Sequence, residues 1–117
     1  MEKEIDFYRQ CIKKLLVGYE PLKTQQSKVE LLFDDERMRY MAVRVGWFRQ
    51  KRLHLCLVHI DICDDAIIIQ CNNTEDMIAT ELVKMGLPGE KIRLGFLPPE
   101  SQAFSDLPVL QEHLDPA

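Results

Sequence analysis

The sequence predicts an α+β fold with a four-stranded antiparallel sheet in a meander, two helices packed on one face of the sheet, and a short extra strand near the C-terminus. Four runs with strand-like patterns follow one another between residues 29 and 71, and only short polar breaks separate them. A parallel crossover needs a dozen or more residues, so breaks this short force neighbouring strands to pair antiparallel. A segment with helical periodicity lies on each side of these runs, and such a segment packs by one face.

The first helix is predicted over residues 3–18. Acidic residues stand at its start and lysines near its end, and both placements complement the helix dipole. Gly18 and Pro21 end it. Its apolar stripe consists of Ile5, Tyr8, Ile12, Leu15, Leu16 and Tyr19.

The four strands are predicted over residues 29–33, 40–47, 53–63 and 66–71. Asp64 and Asp65 separate the last two of these, which is the spacing of a two-residue hairpin. Gly46 lies near the end of the second strand, where a glycine indicates either a bulge or a close packing point. Ile67 and Ile68 point to opposite faces, so both faces of the sheet carry apolar side chains. We therefore expect the second face to pack on another copy or a partner.

The second helix begins near residue 74, where Asn73 or Thr74 can serve as its N-cap. Its apolar stripe is Ile78, Leu82 and Met85, and Gly86 ends it. Residues 92–96 then supply the short extra strand.

The chain divides into an α+β domain of residues 1–97 and a Pro-rich C-terminal tail of residues 98–117. Four of the six prolines lie in these last twenty residues, so the tail should lack regular structure over most of its length. The tail still carries apolar residues, among them Leu107, Leu110 and Leu114 at the spacing of a short helical turn. Two interpretations remain open: it packs on its own domain, or it docks on another subunit.

Composition narrows the function without naming one. The 117 residues carry a net charge of −4, with 46% apolar and 29% charged residues, which is typical of a soluble globular domain. The negative charge argues against a broad, sequence-independent hold on nucleic acid, which requires a cationic surface. The N-terminus has no signal-peptide pattern, and no run approaches the ~20 apolar residues of a membrane span. We expect a cytoplasmic protein that does not meet a membrane.

No cofactor or metal site is predicted. The five glycines are scattered, so no phosphate-binding loop is present. The cysteines form no C-x-x-C pair, and the histidines form no metal-binding motif. No catalytic residue is assigned on these grounds.

His59 and Asp61 form the most notable local pattern. Two residues apart on one strand, they point the same way. An Asp beside a His can fix the imidazole tautomer in a hydrolytic site or around a metal, but no nucleophile or further ligand stands nearby in the sequence. The favoured interpretation is a hydrogen-bonded polar pair on a sheet face or at a subunit contact. With Trp47 and Phe96, the pair makes up the candidate interface residues.

The one basic cluster surrounds the turn between the second and third strands. It consists of Arg44, Arg49, Lys51 and Arg52, with Trp47 and Phe48 among them. Cations interleaved with aromatic rings are suited to single-stranded nucleic acid, although a basic turn is more often a solvated tip. These four residues are the candidate nucleic-acid contacts.

Several short motifs occur in a characteristic order over residues 5–97. They are Tyr8-Arg9-Gln10, Val45-Gly46-Trp47, His59-Ile60-Asp61-Ile62, Ile69-Gln70, the run of residues 74–83, Gly86-Leu87-Pro88 and Ile92-Arg93-Leu94-Gly95-Phe96. In this order and spacing the chain resembles the XisI family, the fdxN element excision controlling factors of cyanobacteria. Family members usually have Asp-Gly where this chain has Asp64-Asp65, and they tend to end soon after the Leu-Gly-Phe motif.

The resemblance implies a role in programmed DNA excision, together with the XisF recombinase and the XisH protein. It implies an accessory, non-enzymatic factor that contacts an XisH-like protein and associates with the recombinase and DNA only indirectly. A homo-oligomer is expected from the two apolar sheet faces. Two alternatives stay open: direct DNA binding through the basic turn, and a hydrolase or metal-dependent nuclease that uses His59 and Asp61.

Overall fold

The structure is a computed structural model, which describes residues 2–104. The elements in chain order are α1 (Glu2–Val17), β1 (Ser27–Asp34), β2 (Arg39–Phe48), β3 (Lys51–Cys63), β4 (Ala66–Asn72), α2 (Ile78–Lys84) and β5 (Ile92–Leu94), with 3-10 turns at Gly89–Lys91 and Pro99–Ser101. The expectations for the tail from residue 105, including the helical turn through Leu107, Leu110 and Leu114, lie outside the described residues.

The strands form one sheet in the order β1-β2-β3-β4-β5. The antiparallel meander of β1 to β4 is confirmed. The extra strand β5 is also present, and it pairs with β4 in the parallel direction, so the sheet is a mixed sheet of five strands. The connection between β4 and β5 contains α2, which carries the chain back to the end of the sheet where β4 begins, so β5 runs parallel to β4.

The two helices cover one face of the sheet, as predicted, and the main core lies between the layers. Isoleucines and leucines from both layers are fully buried there. They include Ile12 and Leu16 of α1, Ile78 and Leu82 of α2, and Ile60, Ile62, Ile67 and Ile69 of the central strands.

The second helix begins four residues later than predicted, at Ile78. The side chain of Asn72 accepts the backbone N–H of Thr74 at 3.0 Å, and the hydroxyl of Thr74 accepts that of Asp76 at 3.1 Å. These polar side chains stabilise a local turn instead of capping a helix. The Tyr19 hydroxyl donates to the Asp76 carboxylate at 2.5 Å, which ties this turn to the end of α1.

A bulge at Ala42 sets the register of the β2–β3 pair. Beyond it, Leu57 is the extra residue on β3. The bulge shifts the pairing by one position, so that Asp61 lies opposite Arg39. Without the bulge, the register set by the β2–β3 turn would place Ile60 opposite Arg39. Asp61 would then point to the other side of the sheet.

The two edges of the sheet differ. The chain folds back over β5, where the Leu94 N–H donates to the Gln102 carbonyl at 2.7 Å and the Phe104 N–H donates to the Ile92 carbonyl at 3.2 Å. Residues 102–104 therefore close that edge. At the other edge, β1 has β2 as its only neighbouring strand among the described residues.

Replacing Asp65 with glycine should stabilise the protein. Asp64 and Asp65 both have positive φ, at 49° and 71°, and a left-handed backbone costs a residue with a side chain about 1 kcal/mol. The change also removes the 3.6 Å ion pair with Lys91, which is partly exposed and contributes less than about 1 kcal/mol. We expect a net gain of about 0.5 kcal/mol in urea unfolding. Asp65→Asn is the control, because it removes the charge but keeps the side chain; equal stability of the two variants would contradict the strain argument.

Two buried tyrosines predict a loss of stability at alkaline pH. Burial and the hydrogen bond to Asp76 raise the pKa of Tyr19 to about 12. Burial and the bond to Asp35 raise the pKa of Tyr40 well above its ordinary value. Above about pH 10 the unfolded chain ionises these phenols while the folded chain does not, so the unfolding free energy falls by up to about 1.4 kcal/mol per pH unit for each group.

The measurement is urea unfolding in buffers from about pH 9 to about pH 12, where the contribution is complete at the lower end and lost through the upper end. Tyr19→Phe removes one of the two phenols and should flatten the decline. If the unfolding free energy of Tyr19→Phe falls with pH as steeply as that of the parent chain, the effect comes from other groups.

Candidate functional site

The sheet face opposite the helices, here called the outer face, carries both apolar and polar side chains. It comprises Leu32 of β1, Met41 and Val43 of β2, His59 and Asp61 of β3, and Ile68 and Gln70 of β4, which the strand register places on one side. Leu32 is 54% exposed, and Met41 and Ile68 are half-buried. The outer face is thus an open surface with apolar patches around a polar centre.

Asp61 is the centre of the outer face, and its side chain is only 6% exposed. Its Oδ1 lies 2.7 Å from Nε2 of His59, and its Oδ2 accepts Nε2 of Gln70 at 3.2 Å. Arg39 adds an ion pair, with Nε 3.6 Å from the same Oδ2. A buried carboxylate needs such partners, and three side chains supply them.

Two of the side chains that contact Asp61 are still partly exposed at the surface. The imidazole of His59 is 26% exposed, and the guanidinium of Arg39 is 46% exposed. Because a carboxylate accepts only, Nε2 of His59 carries a proton, and in the neutral form of the imidazole Nδ1 is an acceptor. The group formed by Arg39, His59, Asp61 and Gln70, here called the polar cluster, can therefore donate and accept hydrogen bonds at the surface.

Among the described residues, the thiol that the strand register places beside the polar cluster is engaged in a hydrogen bond. Cys71 is the cross-strand neighbour of His59, but its thiol donates to the Cys56 carbonyl at 3.5 Å. Burial and the neighbouring Cys71 raise the pKa of the Cys56 thiol to about 12, and a protonated thiol is a poor nucleophile. Within residues 2–104, no three His, Cys, Asp or Glu residues are placed to hold a metal ion.

The structure brings together His59 and Asp61, and it adds two residues that the sequence reasoning missed. Arg39 and Gln70 lie on neighbouring strands. Arg39 lies opposite Asp61 because of the bulge at Ala42, whereas the regular register of β3 and β4 already places Gln70 two residues from Ile68, the partner of Asp61. Phe96 was also predicted as an interface residue. Its side chain packs against the main core.

The tip of the β2–β3 hairpin combines two exposed aromatic rings with two arginines. The guanidinium of Arg52 lies 5.3 Å from the centre of the Trp47 ring, and that of Arg49 lies 5.5 Å from the Phe48 ring. Trp47 is 52% exposed and Phe48 is 63% exposed. Lys51 is also exposed and pairs with Phe48 in the register. The tip thus presents cations over aromatic rings, which is a surface that can stack on other groups.

Arg44 does not join the tip. It is half-buried, and its guanidinium donates to the Ser27 hydroxyl at 2.9 Å. This bond links β2 to the start of β1, so Arg44 supports the sheet instead of extending the basic surface.

An open cleft of about 610 Å³ lies on the helix side, between the end of α1 and α2. Tyr19 and Asp76 line it, together with apolar residues such as Ile78 and Met85. The interface and nucleic-acid residues predicted from the sequence all lie elsewhere. Among the described residues, no helix is both long and apolar enough to cross a membrane.

The fold and the outer face define a two-layer α+β protein with a sheet face that the helices leave uncovered. The family model described as XisI protein matches residues 1–109, and the chain belongs to the XisI family. No curated protein matches the chain.

Two solved structures show the same fold. An XisI-like protein from Anabaena variabilis is 39% identical, with a TM-score of 0.79, and the match covers 85% of this chain and 93% of that one. The fdxN element excision controlling factor XisI from the same organism is 26% identical, with a TM-score of 0.73, covering 83% and 96% of the two chains.

Proposed function

We propose that this chain is a controlling factor of programmed DNA excision that acts through protein contacts and does not catalyse a reaction. The support is its membership of the XisI family and its likeness to a protein named as an fdxN element excision controlling factor. The observation that carries the mode of action is the outer face, where the polar cluster has hydrogen-bonding groups at the surface and, among residues 2–104, the neighbouring thiol of Cys71 is engaged in a hydrogen bond.

The proposed partner is an XisH-like protein, and the outer face is its docking surface. Apolar side chains in the middle of a contact supply most of the binding free energy, and Met41 and Ile68 stand beside the polar cluster in that position. Arg39 and His59 add hydrogen-bonding groups that fix the orientation of the partner.

The test is isothermal titration calorimetry of the purified chain with a purified XisH-like protein. Met41→Glu places a charge in the middle of the outer face, and we expect it to weaken binding by more than about tenfold. Leu22→Glu is the matched control, because Leu22 is 48% exposed in the loop before β1 and lies off this face. No association of the parent pair, or equal affinity of both variants, would exclude the outer face as the docking surface.

A second candidate function is direct DNA contact through the hairpin tip. The stacked pairs Trp47–Arg52 and Phe48–Arg49 favour it, because exposed rings and cations suit unpaired bases and phosphates. The measurement is a mobility-shift assay over a range of salt concentrations. Replacing Arg49, Lys51 and Arg52 together with alanine should abolish binding and its salt dependence. Binding that survives the triple replacement would exclude the tip.

A further inference from the structure

The edge strand β1 is unusually open for a natural sheet. It runs from Ser27 to Asp34 without a proline and without a bulge, and Leu32 and Phe33 are 54% and 38% exposed. Natural sheets usually block such an edge, because its free N–H and C=O groups pair with any extended chain. Among residues 2–104, only the beginning of this edge is blocked, where the Thr24 N–H donates to the Ser27 carbonyl at 2.8 Å.

The pairing pattern shows which backbone groups are free. The Trp47 N–H donates to the Gln26 carbonyl at 2.9 Å, so Gln26 faces β2. In an antiparallel pair, alternate residues direct both backbone groups to the neighbour, and the residues between them direct both groups away. The N–H and C=O groups of Val29, Leu31 and Phe33 therefore point outward from the edge.

We propose that two copies of this chain join through their β1 strands, antiparallel, about a two-fold axis at Leu31. Leu31 then pairs with itself, and Val29 pairs with Phe33 of the second copy. These residues carry the free groups, so each pair exchanges two backbone hydrogen bonds. The result is one continuous sheet formed from both five-stranded sheets.

The side chains between these pairs agree with this register. Lys28 lies opposite Asp34 of the second copy, and Glu30 lies opposite its Leu32. Opposite charges that face each other across strands are stabilising, and the two-fold axis makes each contact twice. Asp34 already accepts from Arg37, but its side chain is 39% exposed and has room for a further donor.

Neighbouring registers are less favourable. An axis at Glu30 would place Glu30 opposite itself, and an axis at Leu32 would place Glu30 opposite Asp34; both are like-charge contacts. An axis at Val29 would pair Leu31 with Ser27, whose carbonyl already accepts the Thr24 N–H. Of these four registers, only the one with its axis at Leu31 avoids these conflicts.

The dimer uses the β1 edge of the outer face, where Leu32 lies, and leaves the polar cluster with Met41 and Ile68 free. A two-fold axis perpendicular to the sheet keeps the helices of both copies on one side and both outer faces on the other. Self-association and partner binding would then use different surfaces, so the inference does not depend on the proposed partner.

The first experiment is sedimentation equilibrium of the full chain over a wide range of concentration. We expect a reversible dimer with twice the 13.7 kDa mass of one chain. Leu32→Lys should tighten the dimer by about tenfold, because each lysine meets Glu30 of the other copy. Leu32→Glu should weaken it by about tenfold for the opposite reason, and Leu22→Glu should leave it unchanged. A monomer at all concentrations, or the same response to lysine and glutamate at position 32, would overturn the proposal.

The second experiment locates the contact. Amide hydrogen exchange, followed by NMR, should show slow exchange at Val29, Leu31 and Phe33 in the concentrated dimer and faster exchange on dilution. A stable dimer in which these three amides exchange as fast as in the monomer would place the contact on another surface and overturn the proposal.

Discussion

Gly46→Ala is expected to lower the free energy of unfolding by about 3 kcal/mol. A Cβ atom at this position would lie 2.1 Å from the Gln26 carbonyl oxygen and 2.6 Å from Cα of Ser27. Both are backbone atoms, so no side chain can rotate away to make room. The methyl group would force β1 away from β2 where the two strands first pair.

Gly89→Ala is the matched control for this prediction. Its Cβ would meet the nearest atom, Cγ2 of Val83, at 3.6 Å, which is ordinary contact. We expect a change within about 1 kcal/mol in urea unfolding, because the methyl group makes ordinary contacts and alanine also restricts the unfolded chain. Equal losses in the two variants would show that β1 yields easily at Gly46. A larger loss of stability in Gly46→Ala than in Gly89→Ala would explain why the Val45-Gly46-Trp47 motif contains a glycine: a side chain does not fit there.

The elements were predictable because their signals are local. The apolar stripe of the first helix spans the same turns in the structure, where α1 runs from Glu2 to Val17. The order and direction of β1 to β4 followed from the short breaks between them, which leave no other way to pair. Gly46 was expected at either a bulge or a close approach, and the close approach is what the structure shows.

Only two of the four residues of the polar cluster could be predicted from the sequence. The positions of the other two depend on how neighbouring strands pair. His59 and Asp61 are neighbours on one strand, so alternation alone places them together. Arg39 and Gln70 come from other strands. Gln70 follows from the register of the β3–β4 hairpin, but the position of Arg39 depends on the bulge at Ala42. A bulge is set by packing across the whole sheet, and no local pattern marks it here. The parallel direction of β5 likewise depends on how α2 packs.

Replacing Asp61 with leucine is expected to lower the free energy of unfolding by about 2 kcal/mol. The change leaves the donors of His59, Gln70 and Arg39 without their common acceptor in a largely buried position. A fully buried ion pair that loses one partner costs about 3–5 kcal/mol, but Arg39 is nearly half exposed and regains contact with water. Asp61→Asn keeps one acceptor oxygen, so its loss in urea unfolding should be smaller. Similar stability of the parent and the leucine variant would mean that the polar cluster contributes little to the fold.

His59→Leu separates a supporting role of the polar cluster from a binding role. Asp61 keeps its bonds to Gln70 and Arg39 in this variant, so the loss of stability should be only about 1 kcal/mol. The surface nevertheless loses a hydrogen-bonding group at the centre of the outer face, and we expect affinity for the XisH-like protein to fall by more than about tenfold. Both quantities are measured on the same purified variant, by urea unfolding and by titration calorimetry. If stability falls while affinity stays the same, the imidazole of His59 stabilises the sheet and does not contact the partner. The docking surface would then lie away from the polar cluster.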